Sequence, residues 1–360
     1  MQMANVVIVG AGLSGLIAAR QLATPGSPSS VDGLATNGVV LLEASGAVGG
    51  RLATDTIGDA VLDHGAQFFT VRTEELATDV ESWTERGVVE EWCRGFAEDD
   101  GYPRYRVAGG MVNLARSLAD DVTDLGVTVA TDAVVTSIEA IDTEAATAKG
   151  NTVEGRNATE DGWLVRFEDD RDPIAASAVI LTPPVPLSLP ILDAGNVART
   201  EDATTLDGFT YHKVAALLTV LDGSPELPPP GALQQPADDV FSFISDNQAK
   251  GISPVPAVTF HTAHARSAEL WSADDDELLE ALLPAARSVV APAEIIEVEV
   301  VRWPYTGPVS SHPERCLIAA AGPTGPIVLA GDGFGGSKVE GAYSSGRAAA
   351  EVIAAALRSD

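Results

Sequence analysis

The chain opens on a short apolar run, a glycine-rich turn and an amphipathic segment. Residues 5–10 predict a buried strand, residues 13–23 a helix that begins directly after glycines, and residues 39–43 a second strand. A loop rich in Pro, Gly and Ser at 24–30 separates this helix from the second strand. The order is that of a βαβ unit, which indicates the beginning of a parallel sheet with a right-handed crossover.

The middle of the chain mixes helical and strand-like periods. Apolar spacing predicts helices over 73–92, 111–124 and 274–290, and strands over 127–138, 163–167, 179–181, 213–221, 240–245 and 257–262. Residues 142–162 are polar and acidic, which predicts an extension at the surface. The end repeats the opening pattern, with a buried strand over 327–332 and an Ala-rich helix over 340–357.

These elements predict an α/β fold in which both ends of the chain build one domain. We expect a Rossmann-like nucleotide-binding domain from residues 1–72, 105–190 and 318–360. A β-rich α+β part is inserted into it, and we expect residues 73–104 and 191–317 to form this substrate domain.

Composition is that of a folded chain without a membrane segment. The sequence has 360 residues, of which 45% are hydrophobic, and no apolar run reaches the ~20 residues that a membrane helix needs. The opening run lacks the basic segment of a signal peptide. The two cysteines, Cys93 and Cys316, predict neither a metal site nor a disulfide framework. These features favour a reducing cytoplasm.

Charge is the most unusual bulk property. The formal net charge is −30, with 52 acidic residues against 22 basic ones. Such a chain repels nucleic acid and anionic membranes. One interpretation is a basic partner. We favour a halophilic or salt-adapted cytoplasm, where an acidic surface keeps proteins soluble and salt shortens the Debye length to ~3 Å near 1 M.

The glycine-rich turn predicts a dinucleotide site. Residues 10–15 read Gly-Ala-Gly-Leu-Ser-Gly, between a predicted strand and a predicted helix. In a G-x-G-x-x-G motif the glycines allow the tight turn, the approach of the pyrophosphate and close packing of helix on strand. The helix N-terminus adds free N–H groups and a positive dipole end. The expected cofactor contacts here are Gly10, Gly12, Leu13, Ser14 and Gly15.

Two further signals follow the second strand. Glu43 ends that strand, where a carboxylate can bind a ribose hydroxyl and repels the 2′-phosphate of NADP; the alternative is a solvated strand end. Its distance from Gly15 exceeds the usual ~20 residues because of the loop before the strand. Gly49-Gly50-Arg51 then brings backbone and guanidinium to the same pyrophosphate. NAD dehydrogenases lack this last part, so the set predicts FAD.

The C-terminal strand and helix carry the second half of the cofactor prediction. Gly331 and Asp332 end the predicted strand, where Asp332 can bind a ribityl hydroxyl. A helix that begins near Val339 would direct its N-terminus at the flavin and stabilise the anion of reduced flavin. A plain strand–helix unit with small packing residues is the alternative, and both descriptions are compatible.

The chain resembles the renalase family over nearly its whole length. The matching segments are 63–70 (Asp-His-Gly-Ala-Gln-Phe-Phe-Thr), 181–186, 242–247, 261–262, 302–305 (Arg-Trp-Pro-Tyr) and 331–334 (Gly-Asp-Gly-Phe). The resemblance implies a fold of the amine oxidase and p-hydroxybenzoate hydroxylase type with noncovalent FAD. Its remaining expected cofactor contacts are Ala44, Gly50, Arg51, Gly65, Ala66, Gln67 and Val134.

The resemblance also implies an activity. Renalases oxidise NAD(P)H isomers reduced at ring position 2 or 6 to NAD(P)+, and O2 becomes hydrogen peroxide. A dihydropyridine that loses hydride becomes an aromatic cation, so no general base is required. The expected substrate contacts are Gln67, Phe69, His212, Asn247, His261, Trp303 and Tyr305. Core packing remains the alternative for Trp303 and Tyr305, and a structural role for His261.

Lysines bear on the alternative reactions. Amine-oxidising relatives use a lysine that holds water near the flavin, and this chain has Lys149, Lys213, Lys250 and Lys338. Lys250 is interpreted as a residue at the substrate edge. It is predicted to form a basic rim for an anionic dinucleotide together with Arg72, Arg104 and Arg106.

Two alternatives to dihydronicotinamide oxidation stay open. The same fold also serves the oxidation of amines or of carotenoid- and porphyrinogen-like hydrocarbons, and a flavin-binding redox sensor would have no turnover. The preferred isomer, the choice between NADH and NADPH, and the oligomeric state are not settled by the sequence.

Overall fold

The computed structural model describes residues 2–27, 29–30, 38–96, 100–141, 162–234, 240–322 and 325–358. Its strands are β1 (Gln2–Val9), β2 (Val39–Leu42), β3 (Thr54–Ile57), β4 (Ala60–Asp63), β5 (Val89–Cys93), β6 (Arg104–Val107), β7 (Thr128–Ala130), β8 (Val135–Ala140), β9 (Trp163–Phe167), β10 (Ile174–Leu181), β11 (Tyr211–Leu221), β12 (Ala232–Gln234), β13 (Phe241–Asp246), β14 (Ala257–Thr262), β15 (Ile295–Pro308), β16 (Leu317–Ala320) and β17 (Ile327–Leu329). Its helices are α1 (Leu13–Ala23), α2 (Glu74–Glu85), α3 (Val112–Asp124), α4 (Val185–Ala194), α5 (Glu201–Thr204), α6 (His264–Glu269), α7 (Asp275–Val290) and α8 (Lys338–Arg358).

The chain folds into two compact units. Unit 1 contains Met1–Gly50, Ala115–Thr210 and Ser310–Asp360, and unit 2 contains Arg51–Leu114 and Tyr211–Val309. Among the described residues, no helix combines the length and the apolar character that a membrane crossing requires.

Unit 1 is built on a mostly parallel sheet. Its strand order is β16-β17-β10-β1-β2-β7, in which β17, β10, β1, β2 and β7 are parallel and β16 is antiparallel. Strands β8 and β9 continue from β10 as an antiparallel extension. The central strands are near-continuous apolar runs because both faces of the sheet are covered. The Rossmann-like α/β fold is thus confirmed.

Small residues allow the helices of unit 1 to pack closely. A Cβ at Gly346, in helix α8, would collide with the carbonyl oxygen of Ser14 in helix α1. The Ala-rich face of α8 is buried at Ala349, Ala350 and Ile353. The C-terminal helix therefore lies directly against the helix that follows the glycine-rich turn.

Unit 2 is built on an antiparallel sheet with the order β12-β13-β14-β11-β15. Leu278 and Leu282 of helix α7 share an apolar cluster with Leu217, Phe241 and Phe260 of the sheet. The β3–β4 hairpin packs on the same sheet, since its apolar side chains cluster with Leu218 and Ala257.

Most predicted elements are confirmed within a few residues, and two are wrong. The predicted helix over 73–92 ends at Glu85, because Gly87 adopts φ +71° and the next residues form β5, paired with β6. The predicted strand over 127–138 is two strands, because Asp132 adopts φ +51° between β7 and β8. Residues 142–161, most of the predicted acidic extension, lie outside the described residues.

The two units divide the chain at other residues than the predicted domains: residues 51–72 and 105–114 fall in unit 2, and residues 191–210 and 310–317 fall in unit 1. Residues 51–72 belong to unit 2, because Ile57 and Leu62 pack on its sheet. Residues 191–210 belong to unit 1, where the Thr200 hydroxyl donates to the Ile318 carbonyl oxygen at 2.8 Å. The assignment of FAD to one unit and substrate to the other stays a prediction.

Candidate active site

The glycine-rich turn of unit 1 requires its first and third glycines. Gly10 follows β1 with φ +97°, and a Cβ there would collide with the Thr182 hydroxyl. That hydroxyl donates to the carbonyl oxygens of Val9 and Gly10 at 2.9 and 3.0 Å. A Cβ at Gly15 would collide with the carbonyl oxygen of Gly10. The turn and the start of α1 are therefore in contact without any side chain between them.

The N-terminus of α1 fits an anionic diphosphate. Gly12 is its N-cap and contributes no side chain, so the first N–H groups of the helix keep the positive end of the dipole open. A Cβ at Gly12 would meet only the Gly49 carbonyl oxygen, at 3.9 Å. The Ser14 hydroxyl is buried without a hydrogen-bond partner among the described residues. Free N–H groups, an unpaired hydroxyl and open space match the needs of a pyrophosphate.

Glu43 and the second glycine pair lie against this turn. Oε2 of Glu43 accepts from the Ala11 N–H at 2.9 Å, and Oε1 accepts from the Ser45 N–H and hydroxyl at 3.0 and 2.8 Å. The Gly49 N–H donates to the Ala11 carbonyl oxygen at 2.9 Å. The structure thus brings together three motifs that are up to 39 positions apart (10 to 49) in the chain.

The remaining predicted cofactor contacts of unit 1 lie on loops and at the start of helix α8. Ala44 and Gly50 are exposed beside Glu43 and Gly49. The Gly331 N–H donates to the Ser345 hydroxyl of α8 at 2.8 Å, and Asp332 is buried next to it. Val339 is the second residue of α8, as predicted, and Val134 is an exposed apolar residue just before β8.

Unit 2 contains the other predicted cofactor contacts. The guanidinium of Arg51 donates to the Tyr305 and Thr306 carbonyl oxygens at 3.3 and 3.4 Å. The Arg51 carbonyl oxygen accepts from the Ala66 N–H at 2.8 Å, and a Cβ at Gly65 would collide with it. The predicted roles of Arg51, Gly65 and Ala66 in binding a pyrophosphate or flavin stay predictions.

Two of the predicted substrate contacts share the carbonyl oxygen of His64. It accepts from Nε1–H of Trp303 at 2.8 Å and from Nε2 of His261 at 3.0 Å. The His64 and Trp303 rings also stack, with centroids 5.4 Å apart and planes 24° apart. This bond assigns the Nε2–H tautomer to His261.

Two more predicted substrate contacts bond to the backbone of Asp63. The Gln67 amide Nε2 donates to the Asp63 carbonyl oxygen at 2.6 Å, and the Asp63 N–H donates to Oδ1 of Asn247 at 3.4 Å. Asn247 is fully buried, and its amide N also donates to the Thr259 hydroxyl at 3.0 Å. Gln67 keeps Oε1 buried and without a hydrogen-bond partner among the described residues.

The other three predicted substrate contacts lie elsewhere in unit 2. The Phe69 ring is buried and stacks on Tyr105, with centroids 5.6 Å apart. His212 stacks on His264 at 4.1 Å, and Tyr305 meets the Tyr211 ring edge-on at 5.8 Å. The structure therefore bonds four of the seven residues to the backbone of Asp63 and His64, while the other three pack against other rings.

His64 and His261 are both neutral at neutral pH. Burial lowers the pKa of His261 to about 4; its bond to His64 and the Asp63 carboxylate oppose this shift, while the Lys250 ammonium adds to it. Burial also lowers the pKa of His64, against the attraction of Asp55 and Asp63. The group therefore presents uncharged imidazoles.

Lys250 is not at a substrate edge, so that prediction is wrong. Its side chain is 0% exposed, and Nζ donates to Oδ2 of Asp63 at 2.6 Å. The ammonium lies 5.3 Å from the centre of the Trp92 ring. A turn after β13, closed by the Lys250 N–H bond to the Asp246 carbonyl oxygen at 2.8 Å, directs this lysine inward.

Because Lys250 is buried, it is also not part of the predicted basic rim. Two of its other members are already held by carboxylates of the same unit: Arg104 by Asp100 and Arg106 by Glu90, each at 2.6 Å. The Arg104 guanidinium lowers the pKa of Asp100 to about 2.

Comparison with known proteins identifies related families and folds. Residues 87–354 match the model of the flavin containing amine oxidoreductases, and residues 8–80 match that of an NAD(P)-binding Rossmann-like domain. A putative protoporphyrinogen oxidase from Exiguobacterium sp. 255-15 has a similar structure, with a TM-score of 0.66, 14% identity, and coverage of 98% of this chain and 99% of that chain. Putrescine oxidase has a TM-score of 0.64 at 18% identity, with coverage of 98% of this chain and 99% of that chain. Cyclohexylamine oxidase from Brevibacterium oxydans has a TM-score of 0.64 at 14% identity, with coverage of 99% of each chain. At these identities the likeness shows a shared fold.

Proposed function

The chain belongs to the family of flavin-containing amine oxidoreductases, and within it we propose an oxidase of dihydronicotinamide dinucleotides. The proposed substrates are NAD(P)H isomers reduced at ring position 2 or 6. The ring gives up a hydride and leaves as NAD(P)+, and the two electrons and the proton of that hydride, with one further proton from solvent, convert O2 to hydrogen peroxide. The resemblance to renalases and the chemistry of unit 2 support this proposal.

We assign FAD, held noncovalently, to the glycine-rich turn, Glu43 and the Gly331–Asp332 turn of unit 1. When bound, FAD supplies the hydride acceptor and the reaction with O2. The uncapped N-terminus of α1 and the Ser14 hydroxyl would bind the diphosphate. Burial raises the pKa of Cys316 to about 11 and also raises that of Cys93. Both cysteines are therefore thiols at neutral pH, which favours noncovalent attachment.

The observation that carries the proposal is the ion pair of Lys250. This lysine is fully buried and engaged by Asp63, so it is not available to hold a water molecule for amine oxidation. Lys213 lies 4.8 Å over the Trp271 ring, and Lys338 begins α8 in unit 1. Loss of hydride from a dihydropyridine needs no base, because the ring becomes an aromatic cation directly.

The residues around Asp63 and His64 suit an uncharged ring that carries a carboxamide. The imidazoles are neutral, and the buried ammonium of Lys250 is balanced by the Asp63 carboxylate. The unpaired Oε1 of Gln67 would accept an N–H of the carboxamide, which removes the cost of a buried polar atom without a partner. Trp303 and His64 would provide the aromatic surface.

Amine oxidation is the second candidate, because the matched family is that of amine oxidoreductases and the similar folds include putrescine oxidase. A steady-state screen for hydrogen peroxide separates the two. The panel contains a borohydride-made mixture of NADH isomers, ordinary NADH, putrescine and cyclohexylamine. We expect peroxide with the isomer mixture alone. Peroxide with an amine and none with the mixture would contradict the proposal.

A further inference from the structure

Asp63 and Lys250 form an ion pair across 187 positions of the chain. Nζ of Lys250 lies 2.6 Å from Oδ2 of Asp63, and both side chains are 0% exposed. Burying two charges costs much of what their attraction returns, so a buried pair is weak evidence for a stabilising role. The contacts of Asp63 give it another role.

Asp63 is fixed by protein groups on every side. Its Oδ1 accepts from the Thr54 hydroxyl at 2.5 Å and from the Met111 N–H at 2.7 Å, while Lys250 binds Oδ2. Its carbonyl oxygen accepts from the Thr259 hydroxyl at 2.9 Å in addition to the Gln67 amide. The carboxylate and the peptide that follows it therefore have one position.

The next carbonyl oxygen along the chain is that of His64, to which Trp303 and His261 bond. We propose that the Asp63–Lys250 ion pair is a positioning device, which fixes residues 64–67 and through them the side chains that hold the dihydronicotinamide ring. Neither member of the pair touches the substrate. The part of this inference that concerns the substrate rests on the proposed function. The part that concerns the fixed position of residues 64–67 rests on the geometry of unit 2 alone.

The charge balance of the pair serves the same purpose. The Lys250 ammonium lowers the pKa of His261, and the Asp63 carboxylate raises it. Removing one member leaves an unbalanced charge beside the group. Removing both keeps the group uncharged and abolishes only the attraction that fixes the segment.

The test compares the wild-type holoenzyme with the double variant Asp63→Asn/Lys250→Met. We expect an unfolding midpoint above that of Lys250→Met alone, since removing both members leaves no unbalanced buried charge. We expect amide hydrogen exchange at residues 64–67 to be at least ~10-fold faster, and kcat/KM for the dihydronicotinamide isomers at least ~10-fold lower. Arg94→Met, which removes an exposed ion pair of the same unit with Glu91, is the matched control and is expected to change neither.

Wild-type exchange at residues 64–67 in a folded double variant overturns the positioning role, as does an unchanged kcat/KM. Failure of the wild-type flavin to be reduced by any dihydronicotinamide contradicts the proposed function instead, and the exchange data then decide the positioning of the segment. If the double variant does not fold, Lys250→Gln replaces it. The amide can still donate a hydrogen bond to Oδ2 of Asp63, but the attraction between opposite charges is lost, so exchange at residues 64–67 should accelerate, and unchanged exchange overturns the proposal.

Discussion

The Trp303 indole stacks on the imidazole of His64 and donates its N–H to the carbonyl oxygen of the same residue at 2.8 Å. One residue of β15 thereby fixes both the ring and the backbone of a residue 239 positions earlier. In the proposed reaction the exposed part of this aromatic surface receives the substrate ring. The indole N–H and the indole ring then have separable effects.

Replacement of Trp303 by Phe keeps an aromatic ring and removes the N–H donor. We expect a loss of about 1 kcal/mol in the free energy of unfolding and a several-fold higher KM for the dihydronicotinamide isomers. Trp163→Phe is the matched control, because Nε1–H of Trp163 donates to the Gly325 carbonyl oxygen at 2.9 Å in unit 1. It should lose similar stability with an unchanged KM. Equal KM values for the two variants would contradict a substrate role for Trp303.

Lys250→Met tests the uncompensated charge. The variant leaves the Asp63 carboxylate buried without its ammonium partner, which costs about 3–5 kcal/mol in comparable buried pairs. Urea unfolding at pH 7.5 measures the loss. Arg94→Met should lose no more than about 1 kcal/mol, since both members of that ion pair are exposed. Similar losses in the two variants would mean that the buried pair behaves like a surface pair.

Gly12→Ala tests the diphosphate site separately from the fold. The backbone of Gly12 has φ −75°, and a Cβ there would meet only the Gly49 carbonyl oxygen at 3.9 Å, an ordinary contact, so the variant should fold normally. The added methyl group occupies the space that the diphosphate needs, and we expect FAD affinity to fall at least ~10-fold. Flavin content after dialysis and titration of the apoprotein measure this. Gly223→Ala, in unit 2, where a Cβ meets no atom within 4 Å, should retain FAD fully.

Stability should fall as the pH is lowered from 7.5 to 5. The pKa of His261 is 6.5 in the unfolded chain and about 4 in the folded one, so the unfolded state binds more protons between these values. Stability is therefore present above pH 6.5 and is lost as the pH falls toward 4, by about 2 kcal/mol at pH 5. Urea unfolding of wild type and His261→Gln at both pH values measures the difference. Between pH 7.5 and pH 5, the free energy of unfolding of the variant should fall by about 2 kcal/mol less than that of the wild type. An equal fall in both proteins would contradict the lowered pKa of His261.

Local sequence patterns predict the glycine-rich turn of unit 1 and the elements next to it. The apolar run, the glycine triplet and the following helix depend on neighbouring residues, so α1 is predicted at its observed bounds. Glu43 and Gly49 were predicted near the same turn because βαβ units bring strand ends together, and their bonds to Ala11 confirm it.

Unit 2 depends on contacts between residues far apart in the chain, which no local pattern contains. Lysine is almost never fully buried unless it is paired, and the partner of Lys250 is 187 positions away. In the sequence, Asp63 is distinguished only as part of a segment that resembles the renalase family. The predicted helix over 73–92 runs past its observed end at Glu85. Here the sequence does contain the signal, because Gly87 is a residue type that ends helices.

Anaerobic mixing of the purified flavoprotein with separated 2-, 4- and 6-dihydro isomers of NADH tests the central claim most directly. The oxidised flavin absorbance should bleach rapidly with the 2- or the 6-dihydro isomer and slowly, if at all, with ordinary 4-dihydro NADH, and NAD+ should form in equal amount. Rapid bleaching by an amine, with no bleaching by any dihydronicotinamide, would contradict the account.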